Sequence, residues 1–309
     1  MHVQESRDPR SQDIDWPGQV TLTAGLFLLV LALLRGNEQG WTSTPIVAEL
    51  AGAVIALAAF VAIESRVTAP MLPLRYFRDR SFTGAQIGVF AISASFFAVF
   101  LYTTLYLQQI LGLSAIEAGL VYLPGTLTML FVSGATAQVL AKVPARTLIS
   151  LGLALVSIGM LLFVLADEHS SWWIVLPGEL VALIGTGLFN PAMSNVALTV
   201  LPAEQSGLAA GTHDTFRQAG IAVGVAALGA LIPAQNALDG GSAADYVAGL
   251  HNALLVGAGL AAVGAIAAGL LISRRFGGAG ELTDEAPSLP VVAELGAPLR
   301  AAEPVAVEA

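Results

Sequence analysis

LHNALLVGAGLAAVGAIAAGLLI, residues 250–272, runs for 23 residues without Asp, Glu, Lys or Arg. A helix rises about 1.5 Å per residue, so roughly 20 apolar residues cross a hydrocarbon core about 30 Å thick. Seven further runs approach or meet that length: 19–34, 45–63, 82–107, 117–141, 148–166, 172–200 and 208–232. The first is short, and the seventh begins in polar sequence. None shows the strict alternation of a membrane β-strand. The reading is an all-α integral membrane protein of about eight transmembrane helices.

Composition agrees. Hydrophobic residues make up 56% of the chain and charged residues 11%, with a mean hydropathy of +0.77. Soluble domains carry about a quarter charged residues, so this chain cannot clothe a globule of its size in polar groups. The formal charge of −9 lies largely in a tail (Glu281, Asp284, Glu285, Glu294, Glu303, Glu308), and basic residues are scattered, which leaves no nucleic-acid footprint. No cysteine is present, and the four histidines stand far apart without metal-ligand spacing. Neither a metal centre, nor a phosphate loop, nor a nucleophile elbow, nor a paired-carboxylate site is visible, so an enzyme has no support. Residues 1–16 are polar and are not a signal peptide.

Charge orients the bundle. With the N-terminus cytoplasmic, the cytoplasmic segments hold twelve of the thirteen basic residues and the opposite side holds only Arg35. The positive-inside rule then places both termini in the cytoplasm; the expected location is the plasma (inner) membrane, with lipid as partner. Trp16, Trp41, Trp172 and Trp173 fall at span ends, where indoles favour the headgroup level. The basic loop 64–81 reads either as a topology-setting connection or as a short interfacial helix. Residues 273–309 read as a disordered acidic tail.

Ionisable groups inside spans are costly and mark function or pairing. Glu179 is the clearest case. Helical spacing puts Glu179, Leu183, Thr186, Asn190 and Ser194 on one face. Two readings stand for Glu179: a proton or cation site, or a carboxylate near the outer interface hydrogen-bonded to a neighbour or water. On the third span Ser95, Tyr102, Tyr106 and Gln109 share a face and suit either a cavity for amphipathic molecules or interface anchoring. In the seventh run Asp214 and Arg217 pair at i, i+3, with Gln218 beside them, as a cytoplasmic gate or a charge-paired helix start. Small residues recur at intervals of four (Gly220 and Gly224; Gly257, Ala261, Ala265 and Gly269), as in close helix seams.

Several stretches resemble the C-terminal part of the fourteen-span drug:proton antiporters of the major facilitator superfamily. They are ESRDP (5–9) with DWPG (15–18), GNEQGW (36–41), ESR (64–66) and PMLPL (70–74) leading to Phe77. The most specific is YLQQILGLS (106–114) with Ala118-Gly119 and Leu123-Pro124, supported by RQAGIAVG (217–224). The resemblance implies a segment 1–18, two linker helices in 19–63, the basic loop 64–81, a six-helix domain in 82–272 and the tail. It implies proton-coupled export of hydrophobic or amphiphilic small molecules, with the proton gradient as energy source and no cofactor. In the superfamily's cytoplasmic loop motif, here 134–146, Gly134 and the gating candidates Lys142 and Arg146 are kept. Gln138 stands where an acid is expected and Pro144 where a glycine is. The resemblance also implies that the family's N-terminal six helices are missing. The chain would then act with that half or with a second copy, or as half of a split transporter. The alternative is a non-transporting membrane fragment or interaction scaffold.

Overall fold

The computed structural model describes residues 15–67, 70–200, 206–233 and 241–276. The tail from 277 and the segment 1–14 lie outside the described residues. Among the described residues eight long helices form and no strand does: α1 (Trp16–Gln39), α2 (Thr44–Glu64), α3 (Arg80–Ile110), α4 (Ala115–Val139), α5 (Ala145–Phe163), α6 (Leu176–Thr199), α7 (Ser206–Gly229) and α8 (Ala243–Leu271). Seven of them are long and apolar enough to cross a membrane; α7 is not, because Thr212, His213, Asp214, Arg217 and Gln218 crowd its first half.

Local chemistry sets the ends. Asp15 caps α1 by accepting the Gly18 N–H at 2.9 Å, with Pro17 pre-set for the first turn. Gly40, at φ +84°, turns the chain, and the short connection makes α1 and α2 an antiparallel hairpin. An ion pair between Arg35 and Glu49 joins the two helices near that turn. A capping box opens α4: Ser114 N–H and Oγ both reach Glu117 Oε2 at 2.8 Å, and Glu117 N–H returns to Ser114 Oγ at 3.3 Å. Ser242 caps α8, which therefore starts seven residues before the apolar run does. Among its described residues the loop after α2 holds a single 3-10 turn, Leu74–Arg78, and no α-helix. Pro73 precedes that turn, and Asp79 already caps α3 by accepting the N–H groups of Ser81 and Phe82.

Helix α3 carries two π segments, Ser93–Phe97 and Tyr106–Ile110, and is the most enclosed helix. It packs against α7 and α8, while α5 packs against α6 and α8, and α4 against α6. The side chains of Ile92, Leu153, Met160, Phe189, Met193 and Leu254 fill the centre. Ser150 and Ser157 of α5 donate to the carbonyls of Ala265 and Ala258 of α8 at 2.9 and 2.8 Å. The hairpin docks at the far end of α7, where Asn37 Nδ2 donates to the carbonyls of Ala230 (2.7 Å) and Ile232 (3.1 Å).

In lipid, apolar burial does not drive helices together, so close packing must. The tightest contact is α5 on α6, at two glycine pairs. A Cβ on Gly152 would stand 2.6 Å from the Gly185 carbonyl oxygen, and one on Gly178 would stand 2.7 Å from that of Gly159. The sequence seams also pack: Gly220 lies on Ser93 and the Phe90 backbone, and Gly224 lies on the Ala94 backbone. Gly152→Leu or Gly185→Leu is expected to lower the thermal midpoint in detergent, with a cost of at least about 1–3 kcal/mol. Gly259→Leu, placed where nothing lies within 4 Å of the new Cβ, should leave it unchanged.

Candidate functional site

The position of Glu179 follows from how α6 starts. A 3-10 turn, Trp172–Val175, runs into the helix, with Pro177 in its first turn. The Gly178–Gly159 contact holds this end of α6 against α5, and the next residue, Glu179, turns toward α4. Gly125 of α4 leaves the room: a Cβ there would stand 2.6 Å from Glu179 Oε1. Leu183, one turn along, closes the same contact.

Glu179 is 2% exposed, and no hydrogen-bond donor reaches either of its carboxyl oxygens. Among the described residues no Lys, Arg or His pairs with it. It borders an enclosed space of about 10 Å³ between α3, α4, α5 and α6, with Phe96, Thr103, Tyr122, Met160 and Phe163 around it. That is at or below the space one water needs. An ionised carboxylate here has neither counter-charge nor hydrogen bond, a costly state. The neutral acid removes the charge and needs one acceptor.

The rest of the α6 stripe divides along the helix. Thr186 is buried and donates to the Ala182 carbonyl at 2.9 Å, so it is satisfied within its own helix. Asn190 and Ser194 are exposed. On α3 the expected polar face does not form, because each π turn takes an extra residue and shifts the register. Tyr102 instead donates to the Val225 carbonyl of α7 at 2.5 Å, Tyr106 is fully buried and donates to the Asp167 carbonyl at 2.6 Å, and Gln109 is exposed. Tyr246 of α8, absent from the sequence reading, donates to the Tyr102 carbonyl at 2.8 Å.

These bonds position the α5–α6 loop and with it the start of α6. Asp167 accepts the Ser170 hydroxyl and the His169 N–H, both at 2.9 Å, which hold its carboxyl below the usual range. His251 of α8 meets the Ala166 carbonyl at 2.7 Å.

The gating candidates stand apart. Asp214 and Arg217 form the expected i, i+3 pair (2.6 and 3.0 Å), largely in the open, and Gln218 is exposed. Lys142 is exposed and Arg146 half-buried; among the described residues no ion pair joins either to Asp214. Gly125 and Tyr122, beside Glu179, were missed in sequence. Only the Leu123-Pro124 stretch hinted at their neighbourhood.

The Major Facilitator Superfamily model matches residues 12–225. The chain belongs to the Major Facilitator Superfamily. It is a multi-pass membrane protein. Multidrug resistance protein Stp of Mycobacterium tuberculosis is 33% identical to it, over 75% of this chain and 43% of that protein. The methylenomycin A resistance protein of Streptomyces coelicolor is 30% identical, over 78% of this chain and 51% of that one. The cephamycin export protein CmcT of Amycolatopsis lactamdurans is 35% identical, over 70% and 45%. The chain spans about half the length of the curated relatives it matches.

Because no group depends on the Glu179 carboxyl for a hydrogen bond, Glu179→Leu should melt in detergent at or above the wild-type midpoint. Tyr106→Phe, which deprives the Asp167 carbonyl of its donor, should cost about 1 kcal/mol. A midpoint lowered by Glu179→Leu as much as by Tyr106→Phe would mean that the carboxyl has a partner.

Proposed function

We propose that this chain carries the C-terminal portion of a fourteen-span drug:proton antiporter, and that Glu179 is a proton-coupling carboxyl within it. The observation that carries the reading is the complete burial of Glu179 without a partner, in a bundle whose other buried hydroxyls mostly find carbonyls. A membrane-embedded acid with no structural bond to make is the group that proton coupling needs. The relatives named for resistance to, or export of, antibiotics support hydrophobic or amphiphilic small molecules as cargo.

In this reading α1 and α2 are the two linker helices and α3–α8 one six-helix half. Alternating access requires two such units rocking about a midplane site, so a second half, on a further segment, a separate chain or another copy, completes the transporter. Asn190, Thr186, Tyr102, Tyr106 and Gln109 then support or line the path on this side. Asp214, Arg217, Gln218, Lys142 and Arg146 are the gating candidates on the basic, cytoplasmic face. No cofactor enters; the proton gradient of the inner membrane supplies the energy.

Glu179→Gln in the complete transporter should abolish most uncoupler-sensitive dye efflux from everted vesicles while membrane insertion is unchanged. Wild-type efflux with the same pH profile in the variant would remove Glu179 from the mechanism. The orientation has its own test, since the chain has no native cysteine. A single cysteine at His169 should react with an impermeant maleimide from outside the cell, and one at Lys142 only after the membrane is opened.

A further inference from the structure

A pair of acids lies at the open end of the α1–α2 hairpin, on helices that do not carry Glu179. Asp15 caps α1 and Glu64 is the last residue of α2; they are 9% and 3% exposed. Both converge over Gly18. A Cβ built there would collide with Asp15 Oδ2 and stand 3.1 Å from Glu64 Oε1. Each carboxyl uses one oxygen structurally. Asp15 Oδ1 accepts the Gly18 N–H at 2.9 Å, and Glu64 Oε1 accepts the Leu72 N–H at 3.2 Å, tying the loop after α2 to the hairpin. The remaining oxygens, Asp15 Oδ2 and Glu64 Oε2, are buried and no donor reaches either.

Among the described residues the surroundings offer no compensating charge. From α1 the site meets Gly18, and from the loop it meets the backbone of Met71 and Leu72. Arg66, two residues beyond Glu64, is exposed, and among the described residues no Lys, Arg or His lies within ion-pair distance of either acid. Yet Asp15 Oδ2 and Glu64 Oε1 crowd the same point over Gly18. Ionised carboxylates only accept, so a hydrogen bond between two carboxyls requires a proton on one of them. A hard cation would need about six oxygen ligands, and two free carboxylate oxygens in a closed site fall well short.

We propose that Asp15 and Glu64 form a proton-binding site, one proton held between the two carboxyl groups, that latches the loop at residues 70–73 onto the base of the hairpin. With the proton bound, both orphan oxygens enter a single carboxyl–carboxylate hydrogen bond and Glu64 stays in place for Leu72. When the proton leaves, two adjacent buried carboxylates repel, as in paired-acid sites that cannot ionise together. Glu64 swings to water and the Leu72 N–H is released. The latch thus reads proton activity on the side where α1 begins, independently of Glu179.

The test is amide hydrogen exchange on the full chain in detergent, followed at Leu72 in the peptide that spans it, across a pH series corrected for the intrinsic rate. Leu72 is well placed for this, since the following residue, Pro73, has no amide hydrogen. The wild type should be protected at mildly acidic pH and lose on the order of tenfold protection as pH rises. In Glu64→Gln the amide oxygen can still accept from Leu72 while the NH₂ donates to Asp15, so protection should stay at the acid level throughout. Glu64→Ala should be unprotected at every pH. Wild-type protection that does not change with pH would overturn the proposal, as would Glu64→Gln behaving like Glu64→Ala. Protection at constant pH that rises with added Mg²⁺ or Ca²⁺ would replace the proton with a metal ion and equally overturn it.

Discussion

Everything in this bundle depends on the backbone contact between α5 and α6. A helix in lipid gains little from hiding leucines, because the solvent is as apolar as the core. What brings α5 and α6 together is the absence of side chains at Gly152, Gly159, Gly178 and Gly185, which lets carbonyl and Cα surfaces meet directly. The contact also fixes the rotation of α6. With Gly178 against α5, the adjacent Glu179 turns toward α4, and Gly125 is the residue that admits it. One geometric constraint thus explains both the packing and the aim of Glu179, whose carboxyl has no hydrogen-bond partner.

Polar groups elsewhere follow a consistent rule. Ser150, Ser157, Tyr102, Tyr106, Tyr246 and Asn37 donate to carbonyls on other segments. Such bonds satisfy the donor where water is absent and pin helix ends and crossings. Asn37 and Tyr102 act on the same stretch of chain: the first holds the carbonyls of Ala230 and Ile232, just past the end of α7, to the hairpin, and the second holds Val225 of α7 to α3. The hairpin is therefore tied to the bundle through α7.

The existence and order of the helices were legible in the sequence because lipid imposes a long, charge-poor run wherever a span occurs. All eight runs became helices, with errors at the ends. The start of α8 at Ala243 escaped notice because its first turns carry Asp245 and Tyr246, residues that a search for apolar runs rejects but a capped helix accepts. The face of α3 was not legible. Its spacing argument assumes 3.6 residues per turn, and the π segments at 93–97 and 106–110 break that assumption without any sequence signature. Tyr106 consequently points to a loop carbonyl rather than into a shared stripe with Gln109. Glu179 could be singled out as a lone acid in an apolar run. That nothing bonds to it could not, since the emptiness is made by glycines and aromatics from other helices.

Asp15 and Glu64 mark the limit of reading charge by position. At the ends of apolar runs, acids ordinarily sit in the interface and touch water. Here Pro17 and Gly18 start α1 so tightly behind its cap that no side chain separates Asp15 from the returning end of α2, and the loop folds over both. The hairpin's two ends then differ in kind. At the turn, Arg35 and Glu49 form an ion pair, and Asn37 anchors α1 to α7 by hydrogen bonds that no proton alters. At the open end two acids converge over Gly18, and among the described residues no base pairs with either, so in the proposed latch this end closes while a proton is held there. A hairpin fixed at one end and conditionally closed at the other can move only by swinging its open end. Any such motion would pass into the bundle through α7, the helix that the fixed end grips.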